Sequence, residues 1–444
     1  MRLITLLGVA VLHSAVVAQV PADETGLGFR IFENGLSYRC VHVPKSRGVC
    51  YVLAIRVGAD HDPKGQTGLA EAVAELLRST QAELPEAERF AVSVRGGITL
   101  VSAVLDRGKA LAGLDRFAAL LGGMKEMVSE DVAAKAIGKA ALYADDLANI
   151  YPGPILYLMA KQDLLRGTPA GRQSVGISKE MIALKSAAVI DRLQRFFRPR
   201  NAVFVAMGGM AEKEWHQALE SKLGSLPAGP DPTPAAVVVT GDGDPVRKRE
   251  HARVNAAFVS AALPAPASDD NDYLSFLVAM TALQTRAVSA FWQPRGREAA
   301  ARFPPFFYNF IAGGQVVLVN RRGPDGAPAA TTQTELEEFF GRLRMRGVTQ
   351  MEIARAAAAT AMRVKMPPYE SRALQGMARK EALFPPALTL VMGRLLGWSA
   401  DLPDRIGALA VIDVRRVLAE AIAPDRLRFY HLVPDSDKSS TTDK

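Results

Sequence analysis

The chain is poor in the side chains that most often carry hydrolytic or redox chemistry. Its 444 residues include two cysteines and six histidines, and the histidines are scattered without the spacing of metal ligands. There is no Gly-x-Ser-x-Gly segment, so a serine nucleophile of the hydrolase type has no support. Only His61, in Asp60-His61-Asp62, has an acidic residue on each side. Its position just before an apolar helix favours a turn residue over a metal ligand.

Long apolar runs are also missing, except at the N-terminus. Residues 1–18 comprise Met1-Arg2, an apolar stretch and small residues before Gln19, which together predict a secretory signal peptide. A membrane anchor is the competing interpretation, but the stretch is short for a transmembrane span. The sequence therefore predicts a periplasmic or secreted protein with no transmembrane span in the mature chain.

Positive charge is spread along the chain and is not concentrated in one segment. The formal net charge is +8, while aromatic residues make up only 7%. Basic and aromatic residues are not interleaved in the way that is typical of nucleic-acid binding. We therefore predict no nucleic-acid partner. A solvated arginine-rich surface, or one that attracts acidic peptides or anionic lipid headgroups, remains open.

The two cysteines flank a short turn-like segment. Cys40 and Cys50 stand at equal distances from Lys45, which lies within Pro44-Lys45-Ser46-Arg47-Gly48. This symmetry predicts a hairpin with the cysteines as cross-strand partners, and a possible disulfide in an oxidising compartment. The alternative is two unpaired, small apolar side chains. Zinc binding by the pair is not expected, because two cysteines without nearby histidine fall short of four ligands.

One pattern occurs twice along the chain, at a period of about 220 residues, which indicates duplicated domains. Val189-Ile190-Asp191 opens a helix that ends at Pro199 before a strand, and Val411-Ile412-Asp413 opens a helix before Pro424 and another strand. Each half alternates strand-like runs with long amphipathic helices. The sequence therefore predicts an α+β fold in which each domain is an antiparallel sheet covered by helices.

Composition sets the expected domain boundaries. Residues 226–245 are rich in proline and glycine, which predicts a surface linker. The linker separates an N-terminal domain at residues 19–225 from a C-terminal domain at residues 246–434. The polar residues 435–444 predict a disordered tail.

One helix carries carboxylates where a metallopeptidase would carry metal ligands. The helix at residues 68–76 follows Gly58-Ala59-Asp60, and the first half closes with Phe197-Arg198-Pro199-Arg200-Asn201. The order and spacing of these blocks resemble those of pitrilysin, insulysin and the mitochondrial processing peptidases, nearly end to end. In this alignment Glu71 and Glu75 replace the two histidines of the inverted-zincin motif His-x-x-Glu-His. Ala74 replaces the glutamate that acts as general base.

The resemblance implies a fold and a binding mode. It implies two homologous domains that face each other across a chamber, where an extended peptide binds by adding to an edge strand. Active relatives hold zinc, and we expect no cofactor here because Ala74 cannot accept a proton and both histidines are replaced. The third zinc ligand, a glutamate in relatives, would fall near Ala144, Asp145 or Asp146.

The resemblance also suggests candidate peptide-binding residues in the second half. In active relatives an arginine and a tyrosine approach the scissile peptide, and Arg286 and Tyr308 are the nearest candidates. The intervening segment departs from the family pattern, so both residues are equally open to interpretation as ordinary packing residues.

The leading hypothesis is an exported, noncatalytic member of this family that binds extended peptides or pairs with an active homologous peptidase. One alternative is an active zinc peptidase whose non-standard metal site uses Glu71, Glu75 and Asp145, or another set of ligands that the sequence pattern does not identify. The two glutamates, one helical turn apart, could also hold calcium or magnesium if more oxygens converge on them. The other alternative is a structural protein of the cell envelope.

Overall fold

The computed structural model describes eleven strands and thirteen α-helices within a defined part of the chain. The described residues are 26–44, 46–124, 126–150, 152–166, 168, 171, 176–231, 246–251, 254, 256–264, 266, 270–291, 307–309, 316–323, 326–364 and 380–435. The predicted signal peptide, most of the predicted linker and all but the first residue of the predicted tail lie outside these ranges.

The first half contains six strands and seven helices. The strands are β1 (Arg30–Ile31), β2 (Ser37–His42), β3 (Gly48–Ile55), β4 (Ala91–Val94), β5 (Thr99–Asp106) and β6 (Ala202–Gly208). The helices are α1 (Leu69–Ser79), α2 (Ala110–Leu121), α3 (Glu130–Ile150), α4 (Pro152–Leu164), α5 (Ser178–Ile182), α6 (Ser186–Phe196) and α7 (Glu212–Leu219).

The second half repeats this plan with five strands and six helices among the described residues. The strands are β7 (Val246–His251), β8 (Phe258–Pro264), β9 (Phe307–Asn309), β10 (Val316–Arg322) and β11 (Arg428–Pro434). The helices are α8 (Tyr273–Phe291), α9 (Ala329–Arg346), α10 (Gln350–Val364), α11 (Phe384–Leu395), α12 (Leu402–Gly407) and α13 (Val411–Ala421).

The two sheets have the same strand order. The first sheet runs β1-β2-β6-β3-β5-β4, and the second runs β7-β11-β8-β10-β9. In each sheet the last strand of the half lies parallel to the first long strand, β6 beside β2 and β11 beside β7, and the other pairs are antiparallel. This shared order confirms the predicted α+β fold of two homologous domains.

The central strands are buried on both faces. All eight residues of β3 and all seven of β6 are buried, as expected for strands covered by structure on each side. On one face, α1, α2, α3, α6 and α7 of the same half supply the apolar side chains that pack against the sheet. On the other face, the covering helix comes from the second half.

That covering helix is one of two that the halves exchange. Ala387, Leu390 and Val391 of α11 pack in one buried cluster with side chains of β3 and β6. In return, Ile155, Leu156 and Leu164 of α4 pack against the second sheet in a cluster with Phe258, Ala262, Tyr430 and Leu432. Each half therefore completes the core of the other.

The predicted hairpin and disulfide between Cys40 and Cys50 are wrong. Strand β6 lies between β2 and β3, so that Cys40 is opposite Ala206 and Cys50 is opposite Met207. The two thiols belong to clusters on opposite faces of the sheet, and both cysteines are free and buried. The local symmetry about Lys45 gave no sign of the distant strand that separates them.

Within the ranges given above, no helix is both long enough and apolar enough to cross a bilayer.

Candidate functional site: the degenerate metal helix

The start of α1 is fixed by a buried carboxylate. Asp62 accepts hydrogen bonds from the amides of Gly68 (2.8 Å) and Ala70 (3.1 Å), and Arg192 lies 3.0 Å from the same carboxylate. Burial raises the pKa of Asp62 to about 6, against the lowering effect of Arg192 and the two amides. Gly68 has a φ of +90°, and a Cβ there would lie 2.6 Å from Met181. Only glycine fits this entry to the helix.

The general-base position is occupied by a buried methyl group. Ala74 is completely inaccessible and packs in the main core of the first half with Val73, Leu76 and Leu77. An alanine side chain can neither accept nor donate a proton. At the position that the resemblance assigns to the general base, α1 therefore offers neither an acid nor a base.

The two carboxylates on α1 share one cation, Arg78. Its Nη1 donates to Oε1 of Glu71 at 2.9 Å and to Oε2 of Glu75 at 3.1 Å. Its Nη2 donates to the carbonyl oxygen of Val92 on β4 at 2.9 Å. Glu71 is only 6% exposed, so this pairing compensates a carboxylate that is largely removed from water.

A second cation approaches from α3. Nζ of Lys139 lies 3.8 Å from Oε1 of Glu75 and 3.5 Å from Oγ of Ser79. Glu71, Glu75, Arg78 and Lys139 thus form a cluster with two negative and two positive charges. Burial lowers the pKa of Arg78, but the two carboxylates outweigh burial and hold that pKa above its ordinary value.

Among the described side chains, the third-ligand candidates on α3 do not form a metal site with Glu71 and Glu75. Ala144 is buried in the core, and Asp145 lines a separate cavity of about 190 Å³ together with Gln162, Ser178 and Arg249. The side chain of Asp146 lies outside the described part of the chain. Tyr143 is the nearby group, and burial together with the charge of Glu71 raises its pKa.

These residues do not fit a zinc ion. Both carboxylates are engaged by Arg78, and His61, the nearest histidine along the chain, lies in the turn at Ala59–His61, where its Nδ1 accepts a hydrogen bond from the amide of Gly58. Across the described ranges, no three His, Cys, Asp or Glu side chains are grouped in a way that could hold a metal ion.

Of the two candidate peptide-binding residues, only Arg286 has described side-chain contacts, and they lie within the second half. Arg286 on α8 forms an ion pair with Glu352, and its Nη2 donates to Oε2 of Glu352 at 2.8 Å. Glu352 is also the partner of Thr349 in a capping box at the start of α10. Tyr308 lies in β9 opposite Leu318, and its side chain is outside the described set. A role for either residue toward a peptide stays a prediction.

Arg78 and Lys139 are the site residues that the sequence interpretation missed. Arg78 follows Glu75 by three positions and Glu71 by seven, a spacing that places all three side chains on one helix face. The contact of Arg78 with the two glutamates could therefore have been predicted from the sequence. The contact of Lys139 could not, because it depends on how α3 packs beside α1.

One family model matches part of the chain. Residues 183–359 match the family model described as the Peptidase M16 inactive domain. No curated protein sequence is significantly similar to the chain.

Solved structures share the whole fold at low sequence identity. A protease from Helicobacter pylori is 18% identical with a TM-score of 0.73, over 91% of this chain and 99% of that one. A chain of complex III2 from Candida albicans is 13% identical with a TM-score of 0.72, over 92% and 96%. The periplasmic protease PqqL from Escherichia coli is 14% identical with a TM-score of 0.69, over 95% of this chain but 49% of that one.

The family match begins just after α5 in the first half and ends within α10 in the second, and the solved structures extend the likeness in fold to both halves. The chain therefore has the fold of these structures, and its residues 183–359 are similar to the domain that the family model describes as the Peptidase M16 inactive domain.

Proposed function

We propose that the chain is an exported, noncatalytic M16 protein that acts as the partner subunit of an active homologous peptidase, or as a binder of extended peptides. The observation that carries the proposal is the state of α1. Its two motif carboxylates are neutralised by Arg78 and Lys139, and the base position is the buried Ala74. A helix in this state supplies neither the Lewis acid nor the base of the family's hydrolysis.

The likeness to PqqL supports the partner role. This chain corresponds to about half of that protease, so a chamber of the same extent needs a second body of similar size. The neighbour in complex III2 belongs to an assembly. A homologue with an intact metal site is the partner whose chemistry would complete what this chain lacks.

Export rests on the N-terminal sequence. Residues 1–18 have the composition of a secretory signal peptide, and PqqL is a periplasmic protein. The test is to express the full chain in a bacterial host and to measure the N-terminal residue and the compartment of the product. Cleavage after residue 18 with recovery outside the cytoplasm supports export, and an intact N-terminus in the cytoplasm contradicts it.

The decisive experiment measures zinc and peptide cleavage together. The purified mature chain is assayed for zinc by mass spectrometry, and for cleavage of an unstructured peptide alone and with its nearest homologue that has an intact His-x-x-Glu-His. We expect no bound zinc, no cleavage by the chain alone, and cleavage by the homologue that increases when this chain is added. One zinc per chain with cleavage by the chain alone would establish the alternative, a peptidase with a non-standard site.

A further inference from the structure

The guanidinium of Arg78 makes two separate sets of contacts. One set is with Glu71 and Glu75, at the position that the resemblance assigns to the metal ligands, and the other is with the backbone of β4 at the edge of the first sheet. We infer that Arg78 is an internal replacement for the family's metal ion, and that it also closes the outer edge of β4 to an incoming peptide strand. The inference deepens the proposed function, because it concerns the site at which a peptide would bind.

The first set of contacts places a positive charge where two carboxylates converge. Glu71 and Glu75 lie one turn apart on α1, and Nη1 of Arg78 is within 3.1 Å of both. Without a cation, two carboxylates at this spacing repel each other, and Glu71 would be buried and unpaired. A metal ion would satisfy the same pair, so the two cations are alternatives for one position.

The second set of contacts is with the backbone of an edge strand. Strand β4 ends the first sheet, and Val92 is opposite Val101 of β5. The amide of Arg95 donates to the carbonyl of Ile98 at 2.8 Å, which makes that pair hydrogen-bonded. Since hydrogen-bonded and non-bonded pairs alternate in antiparallel strands, the polar groups of Val92 point away from β5, toward the open edge.

Arg78 occupies this edge at the carbonyl that a new strand would use. Its Nη2 donates to the carbonyl oxygen of Val92 at 2.9 Å. A peptide that adds to β4 must take the same oxygen as an acceptor, because backbone pairing supplies the affinity in this mode of recognition. Peptide addition at Val92 therefore requires Arg78 to withdraw, and withdrawal leaves Glu71 and Glu75 without their shared cation.

The geometry distinguishes Arg78 from an ordinary surface arginine. A guanidinium presents several donors in a planar fork, so one group reaches two carboxylates and a carbonyl at once. An ammonium in the same place cannot span all three acceptors. Arg342, which pairs with Glu338 one turn away on an exposed face of α9, provides a matched control without such contacts.

The first test compares the wild-type chain with Arg78→Ala, Arg78→Lys and Arg342→Ala in thermal unfolding, with and without calcium chloride. Calcium is the probe because the vacated position would offer only oxygen ligands. We expect Arg78→Ala to lower the Tm by about 5 °C and calcium to restore part of this loss. Wild type and Arg342→Ala should show no calcium response.

The second test measures binding of a fluorescein-labelled peptide of alternating valine and threonine by anisotropy. Removing a competing hydrogen bond at the edge should make Arg78→Ala and Arg78→Lys bind about tenfold more tightly than wild type, with no change for Arg342→Ala. If Arg78→Ala does not fold, the peptide affinity of Arg78→Lys is compared with that of wild type, because lysine keeps a positive charge beside the carboxylates.

The inference is overturned if the Arg78 variants match wild type in Tm, calcium response and peptide affinity. It is also overturned if wild type itself gains stability from calcium to the same degree. Peptide cleavage by the wild-type chain would instead contradict the proposed noncatalytic function, so the two failures are distinguishable.

Discussion

At the scale of single residues, two buried ion pairs lie at the turn that leads into α1. Lys161 lies 3.2 Å from Asp60, and Arg192 lies 3.0 Å from Asp62, with all four side chains at most 5% exposed. Arg192 also donates to the carbonyls of Gly58 and His61. These pairs hold the turn that leads into α1, and so they position the whole degenerate site.

Replacing Asp62 with asparagine should destabilise the chain strongly. The change removes the negative charge that compensates the buried Arg192, and one hydrogen bond to the start of α1 is weakened. We expect a loss of about 3 kcal/mol in the free energy of unfolding, measured by urea denaturation. Asp131→Asn, at an exposed position in the first turn of α3, is the control and should change stability by less than about 0.5 kcal/mol.

Glu352 predicts a pH dependence in the second half. The hydrogen bond from Arg286, together with those from Thr349, lowers the pKa of Glu352 from 4.5 to about 2, against a raising effect of burial. Because the folded pKa is the lower one, the stabilisation is complete above pH 4.5 and is lost as the pH falls toward 2.

Glu352→Gln should therefore cost about 1 kcal/mol at pH 7, a value reduced for the partial exposure of the pair. The difference from wild type should fall to about half at pH 3. Urea denaturation at both pH values measures it. Glu338→Gln, on an exposed face of α9, should show little difference at either pH, and a Glu352→Gln effect that does not change with pH would contradict the assignment.

At the scale of secondary-structure elements, the exchanged helices dominate the architecture. Helix α11 belongs to the second half by sequence, yet its apolar face packs on β3 and β6 of the first sheet. Nε of Arg394 at its end donates to Oγ of Ser37 on β2 at 3.1 Å. A destabilising substitution in α11 should consequently lower the local stability of the first sheet, in the other half of the molecule.

Leu390→Ala on α11 tests this coupling. Leu390 is fully buried, and truncation should cost about 3 kcal/mol in unfolding free energy. Amide hydrogen exchange in β3 and β6 should become faster, although the mutation lies more than a hundred residues away in sequence. Thr389→Ala, on the half-buried side of the same helix, is the control. Faster exchange confined to the second half would contradict the packing described above.

The sequence predicted the elements better than it predicted their neighbours. The helices predicted at Val189-Ile190-Asp191 and at Val411-Ile412-Asp413 are present with small shifts in their bounds as α6 and α13, each followed by a strand, because hydrophobic periodicity is a local signal. The order β2-β6-β3 was not found, and the predicted pairing of Cys40 with Cys50 was wrong for that reason. The insertion of β6 between β2 and β3 depends on packing across the whole first half, and the spacing of residues near the cysteines does not indicate it.

The candidate site also has features that the sequence predicts and features that it does not. Glu71, Ala74 and Glu75 were singled out from the sequence, because their comparison with the His-x-x-Glu-His motif needs only the alignment of one helix. The contact of Arg78 with the carbonyl of Val92 joins a helix to an edge strand, and only the structure shows it.

At the scale of the whole molecule, the two halves are joined by buried polar contacts as well as apolar ones. Asp163 on α4 is fully buried and lies 2.6 Å from Arg247 on β7. The hydroxyl of Tyr430 on β11 donates to the same carboxylate at 3.0 Å. Together with the two helices, these contacts bind the halves independently of the segment that connects them.

A protease site inserted within residues 232–241 should therefore cut the chain without separating its halves. We expect the two fragments to elute together in gel filtration and to unfold in a single thermal transition, because each sheet is covered by a helix of the other half. An insertion that leaves the segment uncut is the control. Separate elution of folded fragments would show that the exchanged helices contribute little to association.

The exchange of helices also determines when the first half can fold during translation. The outer face of β3 and β6 stays bare until α11 at Phe384–Leu395 has emerged from the ribosome, so the N-terminal half cannot complete its core while the rest of the chain is being made. Nascent domains that wait in this way expose apolar surface for longer than domains that fold as they appear. The newborn chain should thus remain loosely folded and open to chaperones until nearly all of it has been translated, which is the condition in which a polypeptide can still be threaded through a membrane channel.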